Sequence, residues 1–199
     1  MKGGKVSAEV ERIFREAGAL LEGHFLLASG QHSPMYWEKF RVLQNPHYTE
    51  QLCQMIASHF KGEKIQMVAG PTTGGIILAF EVARQLGVRG IFAEQEGNKR
   101  AFRRGFSIAP GERALIVDDV LTTGSSIRQV MAAVKEGGGI VVGIGVLVDR
   151  AQERADFGVP LFSCHQVLTP SYEPENCPLC AAGIPLVKPG SIKKAEGIQ

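Results

Sequence analysis

The sequence lacks a long apolar run, and it has no large excess of charge of either sign. No apolar stretch approaches the roughly 20 residues that a membrane-spanning helix needs, and the start, MKGGKVSAEVERIF, has no apolar region like that of a signal peptide. We therefore expect a cytoplasmic protein that does not bind a membrane. The 22 basic and 20 acidic residues leave a formal net charge of +2, which argues against nucleic-acid binding by the chain as a whole.

Cysteine is also scarce, and the four cysteines are Cys53, Cys164, Cys177 and Cys180. They are too few for a disulfide framework, in agreement with a reducing compartment. Cys177 and Cys180 have the CxxC spacing of half a zinc site, and Cys164 and His165 are candidates for the other half. The favoured interpretation of Cys177 and Cys180 is a turn with two reduced thiols that packs against the domain or against a second copy of the chain. The remaining histidines are scattered without an evident partner: His24, His32, His47 and His59.

A chain of 199 residues can bury one sizeable core, so we expect a single domain. The apolar runs IQMVAG, RGIFAE, RALIVDD and IVVGIGVLVD are continuous rather than alternating, as in parallel strands covered by helices on both faces. Helices are expected from an N-cap at Ser7 to Gly18, over Tyr48–Phe60 and over Ser126–Glu136. The sequence predicts an α/β fold with a doubly wound, mostly parallel sheet, in which ligands bind beyond the carboxyl ends of the strands.

The segment ALIVDDVLTTGSS, residues 114–126, passes from apolar to acidic to hydroxyl-rich. A glycine- and hydroxyl-bearing turn at a helix N-terminus can cradle a phosphate. The adjacent carboxylates of Asp118 and Asp119 can accept from the 2′ and 3′ hydroxyls of a ribose, each such bond contributing about 1.5–3 kcal/mol. Their negative charge also suits a cationic, oxocarbenium-like transition state. The pattern predicts a site for ribose 5-phosphate.

Other phosphate-binding motifs fit these residues poorly. No lysine follows Gly124, as a Walker A loop requires, and GIGVLV lacks the third glycine of a dinucleotide fingerprint. A phosphatase that forms an aspartyl phosphate is expected to space its aspartates two apart, whereas Asp118 and Asp119 are adjacent. The plainer alternative, that the two aspartates only cap the next turn, remains open.

The segment LIVDDVLTTGSS resembles the 5-phosphoribosyl-1-pyrophosphate (PRPP) binding motif of the type I phosphoribosyltransferases. HFLLASGQHSPMYWE is similar to the segment F-x-L-x-S-G-x-x-S-P-x-Y that opens the base site of the orotate-specific members. With VLVDR, the resemblance covers about Phe25 to Arg150. It implies transfer of ribose 5-phosphate from PRPP to orotate, giving orotidine 5′-monophosphate and pyrophosphate in de novo pyrimidine (UMP) biosynthesis. It also implies Mg²⁺, held mainly by PRPP.

The resemblance also implies roles for individual residues. Asp118 and Asp119 are expected to be catalytic and to bind the ribose, and the ribose 5-phosphate site is completed by Thr122, Thr123, Gly124, Ser125 and Ser126. Arg150 is expected to bind the orotate carboxylate, for which its fork shape is suited, with Thr122 beside the base. Tyr36 and Trp37 are candidates for a stacking wall, although a core role is equally open. Without the resemblance, Arg150 would be interpreted as a partner of Asp149 or Asp119.

Two further segments are candidates for binding pyrophosphate. The loop in AGPTTGGIILAFEVA offers the amides of Thr72, Thr73, Gly74 and Gly75. The basic stretch NKRAFRRG resembles in charge and position a mobile lid that reaches into the neighbouring subunit, and its basic residues are Lys99, Arg100, Arg103 and Arg104. Lys99 and Arg103 are the catalytic candidates, while a merely solvated surface is the alternative.

The chain departs from the family pattern at three places. Ala28 stands where many members have lysine, Thr72 and Thr73 replace an aromatic residue and lysine, and NKRAFRRG lacks the histidine of R-K-x-x-K-x-H-G. The resemblance implies a homodimer with shared lids, and a hood formed mainly by about residues 1–45 and 160–190. Transfer to another base, such as a purine, and a PRPP-binding regulator of DNA or RNA are the alternatives, although the first 60 residues contain no helix-turn-helix pattern.

Overall fold

The computed structural model describes residues 3–27, 29–151, 155–167 and 170–189. Two sheets account for its strands. The small sheet is formed by β1 (Leu20–Leu26) and β2 (His32–Trp37). The large sheet is formed by β3 (Met67–Pro71), β4 (Arg89–Glu96), β5 (Lys99–Phe102), β6 (Arg113–Leu121), β7 (Ile140–Asp149) and β8 (Leu161–Gln166).

The large sheet has the strand order β5-β4-β3-β6-β7-β8. Its pairs are parallel except for β5, which is antiparallel to β4 at one edge. The helices are α1 (Gly3–Glu16), α2 (Lys39–Leu43), α3 (Pro46–Phe60), α4 (Gly74–Leu86), α5 (Ser125–Glu136) and α6 (Pro178–Ala181). The predicted mostly parallel sheet is confirmed. Across the described ranges, no helix combines the length and the apolar character needed to cross a bilayer.

Both faces of the sheet are covered. Val68 of β3 and Leu115 of β6 pack in a cluster with α1, α3 and α4, whereas Met67 and Ile116, one residue away on each strand, pack in a second cluster with α5. Alternate side chains of a strand point to opposite faces, so a strand buried on both sides needs apolar residues at nearly every position. This burial explains the continuous apolar runs.

Three helix boundaries differ from those expected. α1 begins at Gly3, so Ser7 lies within the helix and is not its N-cap; the buried stripe of Val10, Ile13 and Phe14 anchors a helix that extends further towards the N-terminus. α3 begins at Pro46 rather than Tyr48, because proline suits the first position of a helix. α5 begins one residue early, at Ser125.

The C-terminal segment runs beside the β1–β2 hairpin. Leu26 N donates to Val187 O at 2.9 Å, and Val187 N donates to His24 O at 2.8 Å. His32 and Tyr172 exchange a pair of backbone hydrogen bonds of 2.8 and 2.9 Å. Two of the segments that were expected to form a hood therefore lie against each other.

Candidate active site

The predicted acidic pair, the two predicted loops and Arg150 lie at the carboxyl ends of β3, β6 and β7. Leu121, at the end of β6, is the register partner of Asp149 at the end of β7, and Arg150 N donates to Leu121 O at 2.8 Å. The loop after β6 thus lies next to Arg150. The sheet order also places β3 beside β6, so the loop after β3 begins at the same edge.

Asp118 and Asp119 are both buried, with exposed fractions of 8% and 3%. Asp118 Oδ1 accepts a hydrogen bond of 2.9 Å from the backbone N–H of Asp119. Burial, together with the negative charge of Asp119, raises the pKa of Asp118 to about 7. The pair therefore carries less than two full negative charges near neutral pH.

Lys39, the first residue of α2, is a functional candidate that the sequence analysis missed. Its Nζ lies 2.8 Å from Asp119 Oδ1, in a part-buried ion pair. The segment HSPMYWEK contains this lysine directly after the aromatic candidates. However, nothing local in the sequence indicates a partner 80 residues away.

The predicted phosphate loop follows β6 and leads directly into α5. Gly124 has φ +76°, a conformation that side chains rarely adopt, and a Cβ there would lie 2.7 Å from Phe157 Cζ. Thr122 and Thr123 are exposed, and Thr123 Oγ1 accepts a long bond of 3.4 Å from Ser125 N. The first N–H groups of α5 have no partner within the helix, so this turn is suited to an anion.

The loop between β3 and α4 touches the acidic pair. A Cβ placed on Gly74 would lie 1.9 Å from Asp119 Oδ2, so only glycine allows this backbone to approach the carboxylate. Arg100 Nη1 donates to Thr72 Oγ1 at 3.0 Å and to Ala93 O at 3.3 Å. Arg100, predicted as part of the lid, therefore supplies positive charge to this loop.

The basic segment was expected to be a mobile loop, and this was wrong for Lys99–Phe102, which form β5. Its hairpin with β4 pairs Lys99 with Glu96 around a Gly-Asn turn, a common two-residue hairpin connection. Arg103 forms an ion pair with Glu96, and Arg104 forms one with Glu94 at 2.8 Å. These exposed arginines are held by acidic residues of their own hairpin.

A cleft of about 820 Å³ lies between the hairpin β1–β2, the C-terminal segment and the loop after β6. Its lining includes Tyr36, Lys39, Thr122, Thr123, Arg150 and Lys188. Ala28, at the position where family members often carry lysine, lies outside the described residues. Lys39 and Lys188, which the sequence analysis did not single out, bring positive charge to the cleft instead.

Arg150 is not held by an acidic partner in the described part of the chain. Its Nε is buried without a hydrogen bond there, and burial lowers the pKa of its guanidinium. Asp149 Oδ1 accepts instead from Ala151 N at 2.9 Å, and Asp119 is paired with Lys39. The alternative of a strand-end ion pair is therefore wrong, because both carboxylates are engaged elsewhere.

The two aromatic candidates differ in their surroundings. Tyr36 is partly exposed at the cleft, and burial raises the pKa of its hydroxyl. Trp37 also borders the cleft, but its side chain is buried against Phe14 and His165 at ring-centroid distances of 4.9 and 5.3 Å. Tyr36 remains the candidate for stacking on a base.

The candidate partners of the CxxC pair were wrong. Cys164 lies in the core, where its Sγ contacts Leu52 O at 3.6 Å, and His165 packs on Trp37. The residues that do lie beside Cys177 and Cys180 are His24 and His32, which the sequence analysis left without a partner. The sequence offered no signal for this grouping, because about 150 residues separate the two halves.

The acidic pair, the two glycine-containing loops and the half-buried Arg150 lie together at one edge of a parallel sheet, as the resemblance to phosphoribosyltransferases implies. The model of the phosphoribosyl transferase domain family matches residues 41–157, which include the acidic pair and both loops. The chain belongs to the orotate phosphoribosyltransferases of this family. The orotate phosphoribosyltransferase of Pelotomaculum thermopropionicum is 54% identical over 185 residues, covering 93% of this chain and 97% of the relative. That of Desulforamulus reducens is 50% identical over 183 residues, covering 92% and 96%.

Solved structures share the fold. The orotate phosphoribosyltransferase from Aeropyrum pernix aligns with a TM-score of 0.67 and 27% identity, over 79% of this chain and 93% of that one. The adenine phosphoribosyltransferase from Saccharomyces cerevisiae aligns with a TM-score of 0.61 and 18% identity, over 79% and 99%. Because enzymes for different bases share it, the fold alone does not select the base.

Proposed function

We propose that the protein transfers ribose 5-phosphate from PRPP to orotate, with release of pyrophosphate, in de novo pyrimidine biosynthesis. The observation that carries the choice of base is Arg150, a half-buried guanidinium at the cleft whose Nε is buried without a hydrogen bond and which has no acidic partner among the described residues. A buried N–H that lacks an acceptor is costly, and a planar carboxylate that accepts two parallel hydrogen bonds would offset that cost. Orotate carries such a carboxylate, whereas adenine, hypoxanthine and uracil do not.

The acidic pair and the loop after β6 would hold the sugar phosphate. Asp118 and Asp119 would accept from the 2′ and 3′ hydroxyls, and their negative charge would stabilise the developing ribosyl cation. The amides and hydroxyls of residues 122–126 would bind the 5′-phosphate at the start of α5. Lys39 would have to yield part of its contact with Asp119 as the sugar hydroxyls arrive.

The departing pyrophosphate would be bound by the loop of residues 72–75, with Arg100 as its nearest cation. Lys99, Arg103 and Arg104 stay candidates for a lid, and Lys99 and Arg103 for catalytic cations. The exposed ion pairs of Arg103 with Glu96 and of Arg104 with Glu94 are weak enough to exchange for a phosphate, because such pairs contribute only about 0.2–1 kcal/mol.

The residues present also fit Mg²⁺ held mainly by PRPP. Mg²⁺ prefers oxygen ligands and usually combines one or two carboxylates with substrate phosphates. In the part of the chain that the structure describes, no cluster of three or more carboxylates lies at the cleft, and Asp119 is already paired with Lys39. When bound, the ion would neutralise charge on the diphosphate leaving group.

The homodimer, the hood and the cytoplasmic location also belong to this proposal. Three exposed apolar side chains, Phe40 on α2 and Ile77 and Phe80 on α4, form the candidate surface for a second copy. The β1–β2 hairpin and the C-terminal segment line the cleft from one side, which supports a hood over the base. The four free cysteines agree with a reducing cytoplasm.

The proposed activity is tested by incubating the purified protein with PRPP, Mg²⁺ and one of orotate, uracil, adenine or hypoxanthine. Nucleotide is then separated and quantified. Of the four bases, we expect only orotate to give a nucleotide product. Consumption of a purine, or of none of the bases, would reject the choice of orotate.

The role of Arg150 is tested by Arg150→Ala, with Arg15→Ala on the exposed surface of α1 as the matched control. Losing a charged hydrogen-bond pair should raise KM for orotate by roughly 10- to 150-fold, equivalent to about 1.5–3 kcal/mol, with KM for PRPP within about twofold. A rise in KM for PRPP instead would contradict the assignment.

A further inference from the structure

Four potential metal ligands converge where the C-terminal segment meets the β1–β2 hairpin. They are His24, His32, Cys177 and Cys180, and one ligand atom from each lies within 4.8 Å of all the others. His24 and His32 are only 2% and 5% exposed, and Cys177 is buried. The orotate phosphoribosyltransferase reaction uses none of these groups.

Three of the distances between these atoms match a tetrahedron around a zinc ion, and the other separations stay within 4.8 Å. Bonds of about 2.0–2.1 Å to nitrogen and about 2.3 Å to sulfur, at tetrahedral angles, separate ligand atoms by about 3.3–3.8 Å. Sulfur–nitrogen distances in the cluster are 3.3 Å from Cys180 to His32, 3.5 Å from Cys177 to His24 and 3.7 Å from Cys180 to His24. The two imidazole nitrogens are 2.9 Å apart, so modest spreading would admit the ion.

The orientation of His24 is also that of a metal ligand. Its Nδ1 lies 2.7 Å from the carbonyl oxygen of Ile184, which can only accept, so Nδ1 carries the proton and donates it. Nε2 is then left with its lone pair directed at the cluster. Ligating histidines commonly donate their other N–H to such a carbonyl, which fixes the tautomer and the ring orientation.

We propose that these four residues bind one structural Zn²⁺ ion per chain. Both cysteine thiols would lose their protons to solvent on binding, and both imidazoles would bind as neutral ligands. Two thiolates then balance the two positive charges of the ion, so the site, which is buried except at the exposed Cys180, has no net charge. Cysteine and histidine in this two-and-two set are typical ligands of structural zinc.

The ion would fasten two distant parts of the chain. Cys177 directly precedes α6 and Cys180 lies within it, whereas His24 and His32 stand on β1 and β2. The C-terminal segment is also joined to the hairpin by backbone hydrogen bonds before Cys177 and after Cys180. Tyr172 bonds to His32, and Val187 bonds to His24. With four protein ligands no position is open for substrate, so the role is structural.

The test measures zinc in the full-length protein purified without chelator, by inductively coupled plasma mass spectrometry. We expect one zinc per chain, and its loss in Cys177→Ser and in His24→Asn. Cys53→Ala and His47→Ala are matched controls that remove a cysteine and a histidine outside the cluster, and they should keep their zinc. Replacement by Co²⁺ should give the visible absorption of a tetrahedral, thiolate-bound ion.

A second measurement does not depend on the folding of a variant. In the native protein, alkylation of Cys177 and Cys180 should be slow, and a zinc chelator should accelerate it and lower the thermal midpoint. Native protein that contains no zinc and takes up neither zinc nor cobalt would overturn the proposal. So would a disulfide between Cys177 and Cys180 in the protein as purified, or zinc retained in both cluster variants.

Discussion

Replacing Gly74 with alanine tests how closely the start of α4 approaches Asp119 of β6. The added methyl carbon would lie 1.9 Å from Asp119 Oδ2 and 2.9 Å from Asp119 Cγ. Both distances are far below a van der Waals contact, and Asp119 is buried and paired with Lys39. Either the carboxylate must move or the start of α4 must shift.

The effect of the substitution on stability and on activity depends on which of the two groups moves. Overpacking of this kind destabilises a protein by about 1–3 kcal/mol, which for a domain of this size lowers Tm by roughly 2–12 °C. A displaced Asp119 would lose a charged hydrogen bond to the ribose, of about 1.5–3 kcal/mol, and kcat/KM for PRPP would fall roughly 10- to 150-fold. Both effects arise from the same steric clash. If Asp119 moves to relieve it, stability falls less and activity falls more; if the start of α4 shifts instead, the reverse holds.

Steady-state kinetics with PRPP as the varied substrate and thermal unfolding measure the two effects. Gly62→Ala is the matched control, because no atom lies within 4 Å of a Cβ built at Gly62. If Gly74→Ala retained both the kcat/KM and the Tm of this control, the contact between Gly74 and Asp119 would be refuted.

Two other features give predictions. Because the pKa of Asp118 is raised to about 7 in the folded protein, folding binds a proton, and stability should fall as pH rises from about 4 to about 7. Asp118→Asn should lack this fall, so its Tm should rise relative to the native protein across that range; parallel Tm profiles would contradict the raised pKa. Phe80, on the proposed dimer surface, is 68% exposed. Phe80→Glu should weaken dimerisation by at least about tenfold, as measured by light scattering against Ile140→Glu as control; an unchanged dimer would refute that surface.

The sheet and the loop after β6 could be predicted from the sequence because their signals are local. The continuous apolar runs record burial on both faces, and the acidic and hydroxylated residues directly follow one of them. The β4–β5 hairpin also had a local signal, the Gly-Asn turn between Glu96 and Lys99. It was missed because the positive charge of the segment was given more weight than its turn residues.

The contacts that complete the site could not be predicted in this way. Lys39 meets Asp119 only because α2 packs near α4 at the edge of the sheet where β6 ends. His24 and Cys177 meet only because the C-terminal segment returns to the first hairpin. Such contacts depend on the path of the whole chain, and no spacing along one sequence records them.

The ion pair between Lys39 and Asp119 has a consequence for how PRPP arrives. PRPP carries several negative charges, and two bare carboxylates next to its proposed site would repel it during approach. The lysine masks one carboxylate, and the proton favoured on Asp118 masks the other. In the proposed binding mode the site would therefore admit a polyanion, and it would uncover its own negative charge only as the sugar hydroxyls replace the contact of the lysine with Asp119.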